Sequence, residues 1–151
     1  IQESARLIKS VTNGNNMVII SPRRMGKTGL IQFCYEKPEI REEYYTFFID
    51  ILHTSGLREF TYLLGREIYE TLLPRSRKMT NLFIQTLKSI SGKFGFDPLS
   101  GTPTFNIELG DIDRPEYTLD EIFRYLEAAD KPCIVAIDEF QQIGGYEEKE
   151  Y

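Results

Sequence analysis

The chain has 151 residues, 41% of them apolar and 27% charged, a balance that suits one globular domain with a filled core. Its 10 Phe and 9 Tyr exclude disorder as a description of the whole, and its net charge of -5 excludes a generic polyanion-binding surface. No apolar run approaches the roughly 18 residues of a membrane span and no charged-then-apolar leader opens the chain, so a soluble, cytoplasmic protein that makes no membrane contact is expected.

Ile1, Ala5, Leu7, Ile8 and Val11 recur at roughly helical spacing, and Asn13-Gly14-Asn15-Asn16 follows as a turn. Met17-Val18-Ile19-Ile20 is a short continuous apolar run, the mark of a strand buried on both faces. Ser21 to Thr28 reads as a loop. A helix is predicted over 27–36, with Leu30, Ile31, Phe33 and Cys34 inward and Pro38 barring its continuation. Residues 44–52 form the second predicted strand, carrying Asp50 near its end. Ser55 is the expected cap of a helix over 57–73 that Pro74 stops. The spacing of Leu82, Phe83, Leu87 and Ile90 predicts another helix over 78–91, closed by Gly92.

Between Lys93 and Gly110 the period changes to two. Phe94 and Phe96, a turn at Asp97-Pro98-Leu99-Ser100-Gly101, then Phe105, Ile107 and Leu109 predict a β-hairpin with one polar face. Thr118 and Glu121 have the spacing of a capping box for a helix to about Ala129. Cys133-Ile134-Val135-Ala136-Ile137 is a third buried strand that delivers Asp138-Glu139. Buried strands separated by helices predict an α/β fold with a mostly parallel sheet. Cys34 and Cys133 lie far apart inside apolar stretches and are expected to be inert core thiols; the lone His53 is expected in a loop.

The loop Ser21-Pro22-Arg23-Arg24-Met25-Gly26-Lys27-Thr28 is GxxxxGK[ST] with Ser21 in place of the first glycine. A phosphate chain wrapped by backbone N–H groups at a helix N-terminus needs such a loop, and Gly26 lets the backbone bend without a Cβ in the way. Lys27 would bring a point charge to the β- and γ-phosphates, and the Thr28 hydroxyl would ligate Mg²⁺. Ser21 through Gly29 are therefore the expected nucleotide-binding residues. The strand ending in Asp138-Glu139 has the Walker B pattern: Asp138 would hold the metal, and Glu139 would polarise the water that attacks the γ-phosphate. Catalysis would rest on Glu139 and Lys27.

These segments, together with the strand to Asp50 and Ile137-Asp138-Glu139-Phe140-Gln141-Gln142, resemble the archaeal and bacterial AAA-type ATPases related to the STAND P-loop NTPases. The resemblance covers most of the chain and implies a three-layer P-loop sandwich, ATP and Mg²⁺ as ligands, and ATP hydrolysis within the ASCE class, whose base fits Glu139. It also implies a sensor strand, an arginine finger, a helical lid and a winged helix beyond Tyr151; a homo-oligomer is one option, and the number of subunits is left open. Residues 1–151 would be the first part of one ATPase domain, incomplete at its C-terminus, and any nucleic-acid contact would lie in regions beyond this chain. Neither end has the character of a natural terminus.

In the ASCE order a later strand lies between the phosphate-loop strand and the Walker B strand. The sheet of this chain is therefore expected to carry a central gap, either filled from beyond Tyr151 in the working protein or leaving residues 1–151 to fold poorly. The stretch 52–132 is too long for one crossover helix, so the hairpin and its preceding helix are an insertion. Without an arginine finger, turnover is expected to be slow. The alternative function is a slow nucleotide-gated switch, in which ATP binding rather than turnover carries the signal. Around the motifs, Arg23 and Arg24 either point to solvent or reach the nucleotide or a neighbouring subunit, Asp50 caps a turn or stands near the metal, and Arg75, Arg77, Lys78, Lys88 and Lys93 form a solvated face or, as the alternative, a nucleic-acid or partner contact. Gln141 is a candidate for orienting the attacking water.

Overall fold

A computed structural model of the chain describes residues 16–21, 33–90, 94–101 and 103–146. Strand β1 (Met17–Ser21) is followed by helical residues 33–35 and a short helix α1 (Pro38–Glu43), then β2 (Tyr45–Asp50). Two helices come next, α2 (Leu57–Leu72) and α3 (Arg77–Thr86), then the short strands β3 (Gly95–Phe96) and β4 (Pro103–Thr104). A 3₁₀ turn at Leu109–Asp111, helix α4 (Pro115–Ala128), strand β5 (Cys133–Asp138) and a 3₁₀ segment at Phe140–Gly145 complete the described chain. The fold is α/β, as expected, with a small open sheet.

The main sheet is parallel and ordered β1-β5-β2. All six residues of β5 are buried, which explains its unbroken apolar sequence. Met17 stands opposite Ile134 and Ser21 opposite Asp138; on the other side Tyr45 stands opposite Cys133 and Asp50 opposite Asp138. This corrects the expected central gap. β1 and β5 pair directly, so β5 has strand partners on both edges and the backbone groups that a gap would have left unpaired are satisfied. Buried Asn16 fixes the start of this pairing: its Oδ1 accepts from Cys133 N (2.8 Å) and its Nδ2 donates to the Leu126 carbonyl (3.3 Å).

Helix α2 buries Leu57, Phe60, Leu64, Ile68 and Leu72 against β2 and α4. Its N-cap is Gly56, not Ser55, whose N–H and hydroxyl both go to Glu59 Oε1 (2.6 and 3.3 Å). α1 was not expected; Pro38 opens it at its first turn, where a missing N–H costs nothing. α3 is capped by Ser76, whose Oγ accepts from Met79 N (3.1 Å), and it ends at Thr86, short of the expected Ser91. Gly92 and Lys93 lie outside the described residues.

α4 begins at Pro115, so Thr118 and Glu121 are not its capping box. They hold the turn after α3 instead. Glu121 is 2% exposed, and its Oε1 accepts from the Ser89 hydroxyl (2.6 Å) and N–H (3.3 Å), while Thr118 Oγ1 lies 2.9 Å from Ser89 Oγ. The hairpin exists but is two residues per strand, closed at Gly101, whose φ of 72° suits a residue without a Cβ. Phe105 and Ile107 leave the extended pattern and turn into the core, Phe105 within an aromatic cluster in which the Tyr69 ring lies 5.8 Å from Phe83, 5.4 Å from Phe94 and 5.6 Å from Phe105.

Candidate functional site

Parallel strands of equal register end level with one another. The last residues of β1, β5 and β2, which are Ser21, Asp138 and Asp50, therefore stand side by side at one edge of the sheet. Open α/β sheets carry their ligands at this carboxyl edge. Residues 22–30, and with them Pro22, Arg23, Arg24, Met25, Gly26, Lys27, Thr28 and Gly29, lie outside the described residues, as do the first helix and the start of the second. Tyr35 is the nearest described anchor of the helix that follows the loop; its hydroxyl donates to the Phe47 carbonyl (2.8 Å), and burial pushes its pKa upward.

Asp138 and Glu139 are 4% and 5% exposed. Asp138 Oδ1 accepts the Glu139 N–H (2.9 Å), and the Asp138 carbonyl accepts Ile51 N–H (3.2 Å). Glu139 has φ 61° and ψ 41°, the one non-glycine residue at positive φ among those described. A residue held in this left-handed region costs roughly 1–3 kcal/mol and persists where its surroundings over-determine it. Here the chain turns sharply from β5 into the 3₁₀ segment, so Asp138 and Glu139 project from consecutive but differently oriented backbone units. The exposed Gln141 folds back over the site, and its Nε2 donates to Glu139 Oε1 (2.6 Å).

The 3₁₀ segment is tied to the β2–α2 loop. Gln142 Nε2 donates to the Thr54 carbonyl (3.4 Å). Thr54 Oγ1 donates to the Ile51 carbonyl (2.7 Å), so the hydrogen in the 2.6 Å contact between Thr54 Oγ1 and Tyr146 Oη comes from Tyr146. Thr54 and Tyr146 leave no mark in the sequence, because their contacts join segments about 90 residues apart. Beside the loop lies a groove of about 510 Å³ bordered by Asp50, His53, Glu59, Tyr62 and Glu108.

Other expected roles resolve as structural ones. Asp50 Oδ1 caps the following turn through Leu52 N–H (2.9 Å), and His53 is exposed in that turn. Both cysteines are free, Cys34 half-buried and Cys133 buried, and burial raises the Cys133 thiol to about 12. Arg75 is not simply part of a solvated face: it donates to the Arg41 (2.7 Å) and Tyr44 (3.4 Å) carbonyls and stacks over the Tyr45 ring. Lys78 lies 3.9 Å from Asp130.

No cluster of three acidic, histidine or cysteine residues that could enclose a metal occurs among the described residues. A Mg²⁺ ion bound with a phosphate substrate does not need one, since it takes one or two protein oxygens and completes its shell with phosphate and water. The carboxylate oxygens of Asp138 at a strand end are hard donors of the kind Mg²⁺ takes, and Thr28 lies outside the described residues. No helix among the described residues is long and apolar enough to cross a membrane. No known protein family, curated protein or solved structure matches the chain.

Proposed function

We propose that this chain is the nucleotide-binding core of a P-loop ATPase, resembling AAA and STAND proteins, that binds Mg-ATP and hydrolyses it. The observation that carries the reading is the direct pairing of β1 with β5, which sets Ser21 level with Asp138. Ser21, from which the sequence runs on into residues 22–28, and the Asp-Glu pair that ends the neighbouring strand then share one edge of the sheet. Loop amides and Lys27 would neutralise phosphate charge. Asp138 and Thr28 would hold Mg²⁺, which when bound supplies positive charge to the phosphate oxygens. Glu139 would take the proton of the attacking water, and its burial beside Asp138 keeps it out of bulk solvent.

The adjacency of β1 and β5 departs from the ASCE strand order. The AAA and STAND part of the reading therefore rests on the sequence motifs and not on the strand order, while the level ends of β1 and β5 support only a shared site beside Asp138-Glu139. Calorimetric titration of Mg-ATP into the chain and into Lys27→Ala tests binding: the variant is expected to lose it, and unchanged affinity would sink the assignment. Glu139→Gln should bind Mg-ATP as the unaltered chain does while turnover falls by about 10²–10⁴-fold. Retained turnover would remove Glu139 from the chemistry.

A further inference from the structure

An exposed glutamine that donates a short hydrogen bond to a buried carboxylate is an unusual economy of contacts, because Gln141 could satisfy its amide in water. Two features hold it there. Glu139 sits at positive φ, which turns the chain back on itself so that a side chain two residues later can reach the carboxylate. Gln142 and Tyr146, the next residue and the one that ends the 3₁₀ segment, are fastened to Thr54, so the segment that carries Gln141 is pinned to the loop after β2. The contact involves Oε1 alone, and Gln141 gives no hydrogen bond to Oε2.

We propose that Gln141 is a positioning residue for Glu139: its amide holds Oε1 and thereby turns Oε2 toward the water to be activated. This rests on the hydrolytic reading of Glu139 above. A carboxylate on two rotatable bonds presents either oxygen in many directions, and a base is effective only when one lone pair lies within hydrogen-bond reach of the proton it takes. Tethering one oxygen leaves a single oxygen free and fixes its direction. Gln141 donates a hydrogen bond and exchanges no proton.

The experiment uses the whole chain and three substitutions. Gln141→Met keeps the length of the side chain and removes the donor, Gln141→His restores an N–H at similar reach, and Glu139→Gln removes the carboxylate. Because Gln141 is exposed, none of its substitutions opens a cavity. Gln141→Met is expected to lower kcat by about 10–100-fold with the Mg-ATP Kd unchanged, and Gln141→His to recover most of the loss. A second readout needs no turnover. The fall in Tm caused by Gln141→Met in the unaltered chain should shrink in the Glu139→Gln background, where no buried charge loses its donor.

An unchanged kcat in Gln141→Met, or an equal fall in Tm in both backgrounds, overturns the inference while leaving the ATPase reading intact. A higher kcat would also overturn it, and would mean that the amide holds the acid away from the reaction. Absence of turnover in the unaltered chain overturns the hydrolytic reading and this inference with it.

Discussion

Tyr69 shows what burial costs when a polar atom is carried inward with an aromatic ring. The residue is 1% exposed, wedged among Phe83, Phe94 and Phe105, and its hydroxyl finds no hydrogen-bond partner among the described residues. Burial alone pushes its pKa to about 12. Contrast Tyr125, packed edge-on against the same Phe83 at 5.1 Å, whose hydroxyl donates to the Met79 carbonyl (2.9 Å). An unsatisfied buried hydroxyl carries a desolvation penalty of about 1–3 kcal/mol that ring packing offsets. Tyr69→Phe removes the penalty and keeps the ring, so unfolding in urea should show a gain of about 1 kcal/mol. Tyr125→Phe should lose a similar amount. A destabilised Tyr69→Phe protein would mean that the hydroxyl has a partner.

At the scale of elements, the interiors of helices and strands were legible and their ends were not. The apolar runs at 17–20 and 133–137 and the helical spacing of Leu57, Phe60, Leu64, Ile68 and Leu72 follow from burial on the sheet, which local periodicity reports directly. Starts depend on which of several capping residues wins. Ser55 lost to Gly56, and Thr118–Glu121 lost to Pro115, because both polar pairs found other partners in the folded chain. Glu121 is the clearer case: it serves α3 rather than its own helix, through Ser89. Ser89→Ala would leave the buried Glu121 oxygen without its short donor and should destabilise by about 1.5–3 kcal/mol, the range for a hydrogen bond to a charged group. Equilibrium denaturation measures it. In the double variant with Glu121→Gln the Ser89→Ala cost should fall, since a neutral amide loses less; equal costs would place the Ser89 contribution elsewhere.

For the molecule as a whole, the strand order could not be read from the sequence, since pairing joins Tyr45 to Cys133 and Met17 to Ile134, far apart along the chain, and each apolar strand could pair with either of the others. The Asp138-Glu139 pair was legible because it ends the most apolar run; Gln141 was legible only as a residue near the water, whereas the left-handed turn at Glu139 and the contact of the Gln141 amide with the Glu139 carboxylate leave no pattern. The buried middle strand has one further consequence. Cys133 opens β5 in the interior, and burial raises its thiol to about 12 from an ordinary 9.0. Its folded form therefore keeps a proton that the unfolded chain releases, so its contribution to stability is complete below about pH 9 and is lost as pH rises toward 12. Tyr45 and Tyr69, raised by burial to about 12 from 10.0, act in the same direction but begin one pH unit later. Stability from urea unfolding should thus begin to fall near pH 9 in the unaltered chain and only near pH 10 in Cys133→Ala, whatever the absolute cost of that substitution. If the two proteins lose stability in parallel between pH 9 and 10, the thiol is not held protonated by the fold and the centre of the sheet admits water.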